Sequence, residues 1–570
     1  MVYADVVVGA RGSTQLLTYA TPAQIIPYIR VGSLVTVPVR KKKITAVVIN
    51  IHRRVDRTLK EKIKEIVAID KTHPGLTQRQ LAVAKELSEQ YLTGFGDIVF
   101  RLVSSLRPIS IEYPTQAGQV TFYQGGWESR VEYYRQISQK YQEVLVIFPT
   151  NQHLKAFVDM INDVIVLDGS AATRRKITAV SGKAIFVGTV GDTFFPLNGK
   201  SLIIIDQPEH IGSRYSNRPA LKSEYIAQTR ARLEGTELII GQPLISFSQL
   251  LKVKNHTAKL VAQDLPARPV SITSRLGSAE ILLPTVVEKI TDSLNAQERI
   301  CLFVASKGWA SGYFCRNCQQ LVTCANCRRV TAVNQDKLIC RYCAHEQLLP
   351  NKCPNCQKEQ LVELGEGIDK VADAIKNAFP EATRQVIAGK SNIFNDRQIT
   401  IGTEKLLSFP QQKFAKLFVI SADRALTGSQ LDDQWRLLSV LRELSSRVNQ
   451  VIVQTYLLES RVWQALNQKN LRQYFSAELS ERRAYKLPPY YHCLKLIGQG
   501  HKIDYLHIQV EELLKVVKKF STGTEYSLTE QTDNDQEQLV LQLIIRPNIY
   551  PRLRDKLADI LAPNWSAIPG

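Results

Sequence analysis

Nine of the ten cysteines in this 570-residue chain lie between Cys301 and Cys356, and eight of them form four Cys-x-x-Cys pairs. The pairs are Cys315/Cys318, Cys324/Cys327, Cys340/Cys343 and Cys353/Cys356. Two intervening residues let one tight backbone turn aim both sulfurs at a single tetrahedral ion, so two pairs complete a four-thiolate site and four pairs imply two zinc ions. Spacing alone leaves open which pairs share an ion. A disulfide cluster fits poorly, because the start Met1-Val2-Tyr3-Ala4-Asp5 has no charged-then-apolar export pattern and Cys493 is the one cysteine elsewhere. Cys301, inside the run Cys301-Leu302-Phe303-Val304, reads as a buried strand residue, and so does Cys493.

A site closed by four thiolates has no open position for water or substrate, and its ordinary role is to fold a segment too polar to fold alone. Arg316, Arg328, Arg329, Lys337, Arg341 and Lys352 make this segment basic. It reads as a metal-held knob for contact with nucleic acid or protein.

The whole chain is basic as well, with a formal net charge of +20, which favours a polyanionic partner through phosphate neutralisation. The run Arg40-Lys41-Lys42-Lys43 joins two strand-like segments, Ser33 to Val39 and Ile44 to Ile51, in the manner of a hairpin tip offered to backbone phosphates. The composition, 44% hydrophobic and 22% charged, is that of a globular protein. No apolar run nears the roughly 18 residues that span a bilayer. A cytoplasmic, nucleoid-associated protein with no membrane partner is expected.

Along the chain, residues 1–72 alternate short β-branched runs with Gly and Pro turns and read as a β-rich domain. Leu76, Leu81, Ala84, Leu87 and Tyr91 follow helical spacing, and with Ile98-Val99-Phe100 as a wing they predict a winged-helix-like module over 73–112. Continuous apolar strands then alternate with helix-length polar stretches, first at Val144–Phe148, Val164–Leu167, Ala184–Val187, Leu202–Ile205 and Leu238–Ile240. A second set follows at Ile300–Val304, Gln385–Ile387, Ile399–Ile401, Leu417–Ile420 and Val451–Val453. Such runs predict parallel sheets covered on both faces, in two α/β lobes over 113–295 and 296–480, with the cysteine segment 313–360 inserted in the second. Residues 481–570 form a C-terminal α+β domain in this reading.

Two tandem α/β lobes on a basic chain have the layout of an ATP-driven motor, which needs a phosphate loop G-x-x-x-x-G-K-[ST] between a strand and a helix. None of Ser181-Gly182-Lys183, Gly199-Lys200-Ser201 or Gly389-Lys390-Ser391 is placed or spelled to serve. The order of elements points to Tyr123-Gln124-Gly125-Gly126-Trp127-Glu128-Ser129-Arg130-Val131. Gly125, Gly126 and Arg130 remain as nucleotide contacts, but the wide guanidinium fork does not replace an ammonium threaded into a tight loop, and Val131 cannot coordinate magnesium. At the end of the strand Leu202 to Ile205 stands Asp206-Gln207-Pro208-Glu209-His210. Asp206 keeps the magnesium-holding position, Gln207 replaces the water-orienting carboxylate, and Glu209 could substitute only in a shifted turn.

These residues carry a resemblance. The chain resembles the PriA family of primosomal replication-restart helicases over essentially its whole length. The match is most specific at Gly308-Trp309 leading into the four cysteine pairs and Leu364-Gly365-Glu366-Gly367 closing them. Tyr19 with Val31-Gly32, Tyr91 with Gly96, Val187-Gly188-Thr189, Gln454-Thr455-Tyr456 and the stretch from Arg482 to Tyr490 also fit. The resemblance implies an N-terminal domain that binds the 3′ end of the nascent strand, with Tyr19 and Arg40 to Lys43 as contacts. It further implies a winged helix for duplex DNA, two RecA-like helicase lobes and an assisting C-terminal domain. Implied partners are forked, branched or single-stranded DNA, single-strand-binding protein and primosome or replicative-helicase components. A nested metal arrangement is implied too, with Cys315, Cys318, Cys353 and Cys356 on one zinc and Cys324, Cys327, Cys340 and Cys343 on the other.

The chain departs from the family where nucleotide is handled. Gly188-Thr189-Val190 lacks the family arginine, Gly241-Gln242-Pro243-Leu244 stands for Gly-Ser-Ala-Thr, and Glu443-Leu444-Ser445-Ser446-Arg447 replaces the arginine-finger motif. Thr18 stands where the family places an acid before Tyr19. The expectation is a zinc-containing, PriA-like DNA-binding protein of replication restart without efficient ATP hydrolysis, so that ATP and magnesium are not working cofactors. The alternatives are a divergent ATP-dependent 3′-to-5′ DNA helicase using Arg130, Asp206 and Glu209, or a protein-only scaffold.

Overall fold

The computed structural model describes residues 2–569 apart from 10–15, 56–62, 106, 108, 181, 216–218, 264–267, 277, 279, 306–312, 319, 326–331, 335–336, 340–345, 364–366, 390, 392, 427–431, 469–470, 501–502, 521–523, 534–535 and 563. Strands β1 (Val2–Val8), β2 (Leu17–Thr21), β3 (Leu34–Val39), β4 (Lys42–His52) and β5 (Ala68–Ile69) make an antiparallel sheet in the order β2-β1-β4-β3-β5. Its period-2 alternation buries both faces. Val6, Val35, Val37, Ala46 and Val48 fill one side, while Val7, Leu34 and Val47 turn to the helices that follow.

Those helices are α1 (Gln78–Gln90) and α2 (Phe95–Ser104). Thr77 caps α1 and exchanges hydrogen bonds with Gln80, a reciprocal arrangement that satisfies two orphan amides. Gly32, at φ +90°, lets the sheet meet this pair, since a Cβ there would strike the Leu76 carbonyl. The expected wing is not a strand: Ile98-Val99-Phe100 lies inside α2. With Leu102 the apolar residues fall at helical spacing and bury one face.

The first lobe runs β6 (Val120–Gln124), α3 (Trp127–Ser138), β7 (Glu143–Phe148), α4 (Asn151–Val158), β8 (Val164–Val166), α5 (Ala171–Ala179), β9 (Ala184–Thr189), β10 (Ser201–Asp206), α6 (Ser223–Glu234), β11 (Glu237–Gln242), α7 (Phe247–Lys254) and β12 (Lys259–Ala262). All seven strands are parallel, in the order β12-β6-β11-β10-β7-β9-β8. The second lobe opens with β13 (Val270–Ser274), α8 (Pro284–Asn295) and β14 (Ile300–Val304). The cysteine insertion follows, with β15 (Tyr313–Cys315), β16 (Ala332–Asn334), β17 (Lys337–Ile339), β18 (Glu346–Leu348) and β19 (Leu361–Glu363). The lobe resumes with α9 (Ile368–Ala378), β20 (Arg384–Ile387), β21 (Ile399–Gly402), β22 (Lys416–Ser421), α10 (Asp423–Leu426), α11 (Asp433–Ser445), β23 (Gln450–Thr455), α12 (Arg461–Asn467) and α13 (Arg472–Ala484). Its parallel sheet has the order β13-β23-β22-β14-β21-β20.

Counted from the first strand of each lobe, both sheets read 1-6-5-2-4-3, and the first adds its seventh strand beyond the first. Two lobes of one RecA-like topology therefore stand in tandem. The boundary expected at 295/296 lies earlier, because β13 already pairs with β23 from Val270↔Val451 to Ser274↔Thr455. A single hydrophobic cluster spans both lobes, joining Phe122, Ile203, Leu244 and Phe247 of the first to Leu406, Trp435, Leu441 and Trp463 of the second.

The C-terminal domain comprises β24 (His492–Gly500), α14 (Ile503–Lys518), β25 (Thr524–Asp533), β26 (Gln536–Ile545), α15 (Tyr550–Ile560) and β27 (Trp565–Pro569). Its antiparallel sheet, ordered β25-β26-β24-β27, packs Leu494, Leu496, Leu541 and Leu543 against α14 and α15. Among the described residues no helix is long and apolar enough to cross a membrane.

Candidate functional site

In an open parallel sheet, ligands bind beyond the carboxyl ends of the strands where the strand order reverses. In the first lobe that place lies beyond β6 and β10, where the turn Gly125-Gly126 enters α3 and Asp206 ends its strand. A phosphate cradle needs several free backbone amides in a wide loop. Here α3 begins at Trp127, so Gly125 and Gly126 are the whole connection. The Gly125 amide donates to the Gln242 carbonyl at 3.0 Å, and the Ser129 hydroxyl donates back to the Gly126 carbonyl at 2.9 Å. Val131, at the magnesium-hydroxyl position, is buried in the apolar cluster with Tyr134 and Val146.

Arg130 sits one turn into α3 and is 0% exposed. Its Nε donates to Asp206 Oδ1 at 2.8 Å, and its Nη1 to the Gly125 carbonyl at 2.7 Å and to Glu443 Oε2 at 2.8 Å. Glu443 lies on α11 of the second lobe, and its other oxygen accepts from Arg447 Nη2 at 2.8 Å. Arg447 also donates to the Phe409 carbonyl at 3.2 Å. The Tyr134 hydroxyl donates to the same Asp206 oxygen at 2.8 Å. Burial works against the Arg130 charge, but Asp206 and Glu443 hold it charged. Burial likewise works to lift Glu443, yet Arg130 and Arg447 bring its carboxyl below the ordinary value. Asp206 ends above its ordinary value, because burial outweighs Arg130 and Tyr134.

The residues expected as nucleotide contacts are engaged within the chain. Arg130 is paired with carboxylates of both lobes, and Asp206 offers its Oδ1 to Arg130 and Tyr134 while its Oδ2 is buried without a hydrogen-bond partner. Glu209 does not join them. Gln207 takes a left-handed φ of +46°, and beyond it the Glu209 charge is felt by Lys222, Glu224 and Arg436. The sequence reading quoted Glu443 and Arg447 as a lost motif and passed over Tyr134. The available signal is the i,i+4 pair formed by Glu443 near the end of α11 and Arg447 just beyond it, together with an arginine at the lysine position of α3.

The cysteine insertion forms a second centre. Cys315, Cys318, Cys353 and Cys356 place their sulfurs within 4.8 Å of one another. The pairs Cys315/Cys356 and Cys318/Cys353 stand at 3.6 and 3.5 Å. A tetrahedron with metal–sulfur bonds of about 2.3 Å has edges of about 3.8 Å, so the arrangement fits one tetrathiolate ion. The Lys358 backbone amide draws the Cys356 thiol down to about 6, while burial pushes Cys315 up to about 11. Strands β15 and β19 pair antiparallel beside it, and Phe314 packs on Tyr456 of the second lobe with ring centroids 5.3 Å apart. Cys324 is buried, whereas Cys327, Cys340 and Cys343 lie outside the described residues.

In the N-terminal domain Arg40 to Lys43 are exposed at the β3–β4 hairpin, with Arg40 at φ +53° in the turn. Tyr19, expected as a DNA contact, is 6% exposed and its hydroxyl donates to the Pro38 carbonyl at 3.1 Å. It braces the hairpin base from the sheet core, where burial raises its pKa. Thr18 donates to Asp5 Oδ1 on the neighbouring strand at 2.7 Å, and His52 Nε2 lies 3.1 Å from the same oxygen. Burial would lift the Asp5 carboxyl, but these hydrogen bonds hold it below its ordinary value.

The family model for the PriA 3′DNA-binding domain (3′BD) matches residues 5–104, the β1–β5 sheet together with α1 and α2. Replication restart protein PriA of Synechocystis sp. is 26% identical over 355 residues, covering 55% of this chain and 43% of that protein. PriA of Rickettsia prowazekii is 22% identical over 548 residues, covering 83% and 84%. PriA of Bacillus subtilis is 23% identical over 352 residues, covering 56% and 43%. This chain thus spans less than half the length of two of these relatives and most of the third. Among solved structures, the E. coli DExH-box NTPase HrpB aligns over 62% of this chain and 41% of its own at 10% identity, with a TM-score of 0.34. The N-terminal sheet with α1 and α2 thus matches the PriA 3′DNA-binding domain, and over most of its length this chain is similar to replication restart protein PriA.

Proposed function

We propose that this chain is a DNA-binding member of the PriA family that serves replication restart as a zinc-stabilised scaffold and does not turn over ATP. The carrying observation is the Arg130 guanidinium, fully buried between Asp206 and Glu443 where a motor needs a free cation, a metal-holding carboxylate and an open cleft. Val131 in place of a hydroxyl and the two-residue turn Gly125-Gly126 support the same reading. Zinc fits the Cys315, Cys318, Cys353 and Cys356 tetrahedron, where it would neutralise crowded thiolates and fix the insertion against Tyr456. A second zinc on Cys324, Cys327, Cys340 and Cys343 belongs to this proposal. Forked or single-stranded DNA is the proposed ligand of the basic N-terminal hairpin. Single-strand-binding protein and primosome components are the proposed protein partners, in a cytoplasmic setting.

The test is DNA-stimulated ATP hydrolysis by the purified, metal-loaded chain on forked and single-stranded DNA. No turnover above buffer is expected, alongside salt-dependent DNA binding that ATP leaves unchanged. Turnover abolished by Asp206→Ala would instead establish a divergent helicase.

A further inference from the structure

A motor of two RecA-like lobes works by parting and closing them, and it draws the energy of closure from nucleotide held in the cleft. Here the cleft is bridged by the chain itself. Arg130 of the first lobe reaches Glu443 of the second at 2.8 Å, both side chains are 0% exposed, and Arg447 holds the other Glu443 oxygen. Three more contacts cross the seam at separate points. The Trp435 indole donates to the Ile245 carbonyl at 3.0 Å, the Gln411 amide donates to the Ala156 carbonyl at 3.0 Å, and the Arg482 guanidinium lies 4.0 Å from the centre of the Phe247 ring.

We infer that the Arg130–Glu443 bridge is a built-in clasp that holds the two lobes closed without nucleotide. The inference rests on the reading above for the pairing of Arg130 with Glu443 across the cleft, and does not depend on whether the chain turns over ATP. The two kinds of contact divide the work. The shared apolar cluster supplies the free energy of closure, because parting the lobes would return Phe247, packed on Tyr474 and Phe475, and Trp435 to water. The buried ion bridge supplies register, since any slip leaves a charge dry and unpaired. Glu443 and Arg447 act here as positioning residues.

The experiment uses the full, metal-loaded chain and reads small-angle X-ray scattering together with backbone hydrogen exchange across the seam, at 244–250 and 434–438. Without nucleotide the scattering should match the closed lobes, and adenylyl imidodiphosphate with magnesium should change neither measurement. Glu443→Ala should speed seam exchange at least tenfold while β24–β27 stay protected. Glu443→Gln, which keeps the shape and one acceptor, should show a smaller acceleration in the same place and serves if the alanine variant does not fold. An open scattering profile, a profile that nucleotide closes, or seam exchange at the parental rate in the folded variants would overturn the clasp. ATP turnover with unchanged scattering would sink the functional reading and leave the clasp standing.

Discussion

The Tyr134 hydroxyl reaches Asp206 only because position 241 is glycine: a Cβ on Gly241 would occupy the place of that hydroxyl. Tyr134 is fully buried, so its ring has nowhere to retreat. Gly241→Ala should destabilise the chain by about 1–3 kcal/mol through overpacking. Tyr134→Phe alone should cost roughly 1 kcal/mol, by removing one hydrogen bond to Asp206. The double variant should be no less stable than Gly241→Ala, because deleting the hydroxyl removes the closest contact of the new Cβ and leaves the milder one to Tyr134 Cζ at 2.7 Å. Chemical unfolding of the three variants checks this, and strictly additive losses would contradict it.

Two histidines near the cleft make the chain sensitive to acid. His153 is 0% exposed, with Nδ1 2.8 Å from the Thr150 hydroxyl and Nε2 3.4 Å from the Gln207 amide nitrogen. Burial, then His210, Arg447, Arg130 and Lys405, push its pKa well below 6.5. Burial brings His210 down to about 4, partly opposed by Glu404. The unfolded chain therefore binds more protons than the native one below pH 6.5. Stability is full above that value and falls as pH drops toward the folded values, by up to about 1.4 kcal/mol per unit for each histidine. Unfolding midpoints at pH 7 and pH 5 measure it, and His153→Gln should flatten the dependence.

The continuous apolar strands were legible because both faces are covered: Val144 to Phe148 and Leu202 to Ile205 are buried throughout. β13 was not, since it is an edge strand of mixed residues with Ile272 38% exposed, and missing it moved the lobe boundary. Ile98-Val99-Phe100 has the composition of a strand, but tertiary burial against the β1–β5 sheet and α6 settles it as helix. The sequence reading identified the defect at Arg130 from local motif spelling. It could not identify the remedy, because Glu443 lies 313 residues away and meets Arg130 only in the folded chain.

Metal content provides a direct check of the insertion. Elemental analysis of the purified chain should give two zinc ions, and one or none would refute the nested pairing. Cys318→Ser should remove one ion and leave the other. It should also loosen β15 and β19, seen as faster exchange at 313–315 and 361–363, because a bound ion would tie Cys315 and Cys318 to Cys353 and Cys356 beside that ladder.

Neutralising Arg40, Lys41, Lys42 and Lys43 together should weaken DNA binding and make its salt dependence shallower. Each lost phosphate contact lowers the logarithmic slope by roughly 0.7 on single strands. All four are exposed at the hairpin, so folding should be unaffected. An unchanged slope would place the phosphate contacts elsewhere.

Asp5 offers a carboxylate beside Thr18, its partner across the β1–β2 ladder. The Asp5 side chain keeps 18% exposure, enough to meet a ligand at the sheet surface, while Thr18, His52 and Asn50 hydrogen-bond to it and fix its oxygens. A carboxylate held charged in this way can accept from a terminal 3′-hydroxyl and repels a 3′-phosphate. Asp5→Asn keeps the shape and loses the charge. It should leave binding to DNA without accessible 3′ ends unchanged and reduce the preference for 3′-hydroxyl over 3′-phosphate ends by roughly tenfold, the worth of one charge-assisted hydrogen bond. Competition binding with the two end-modified strands measures this. Equal preference in the parent and in Asp5→Asn would show that the carboxylate has no part in reading the end.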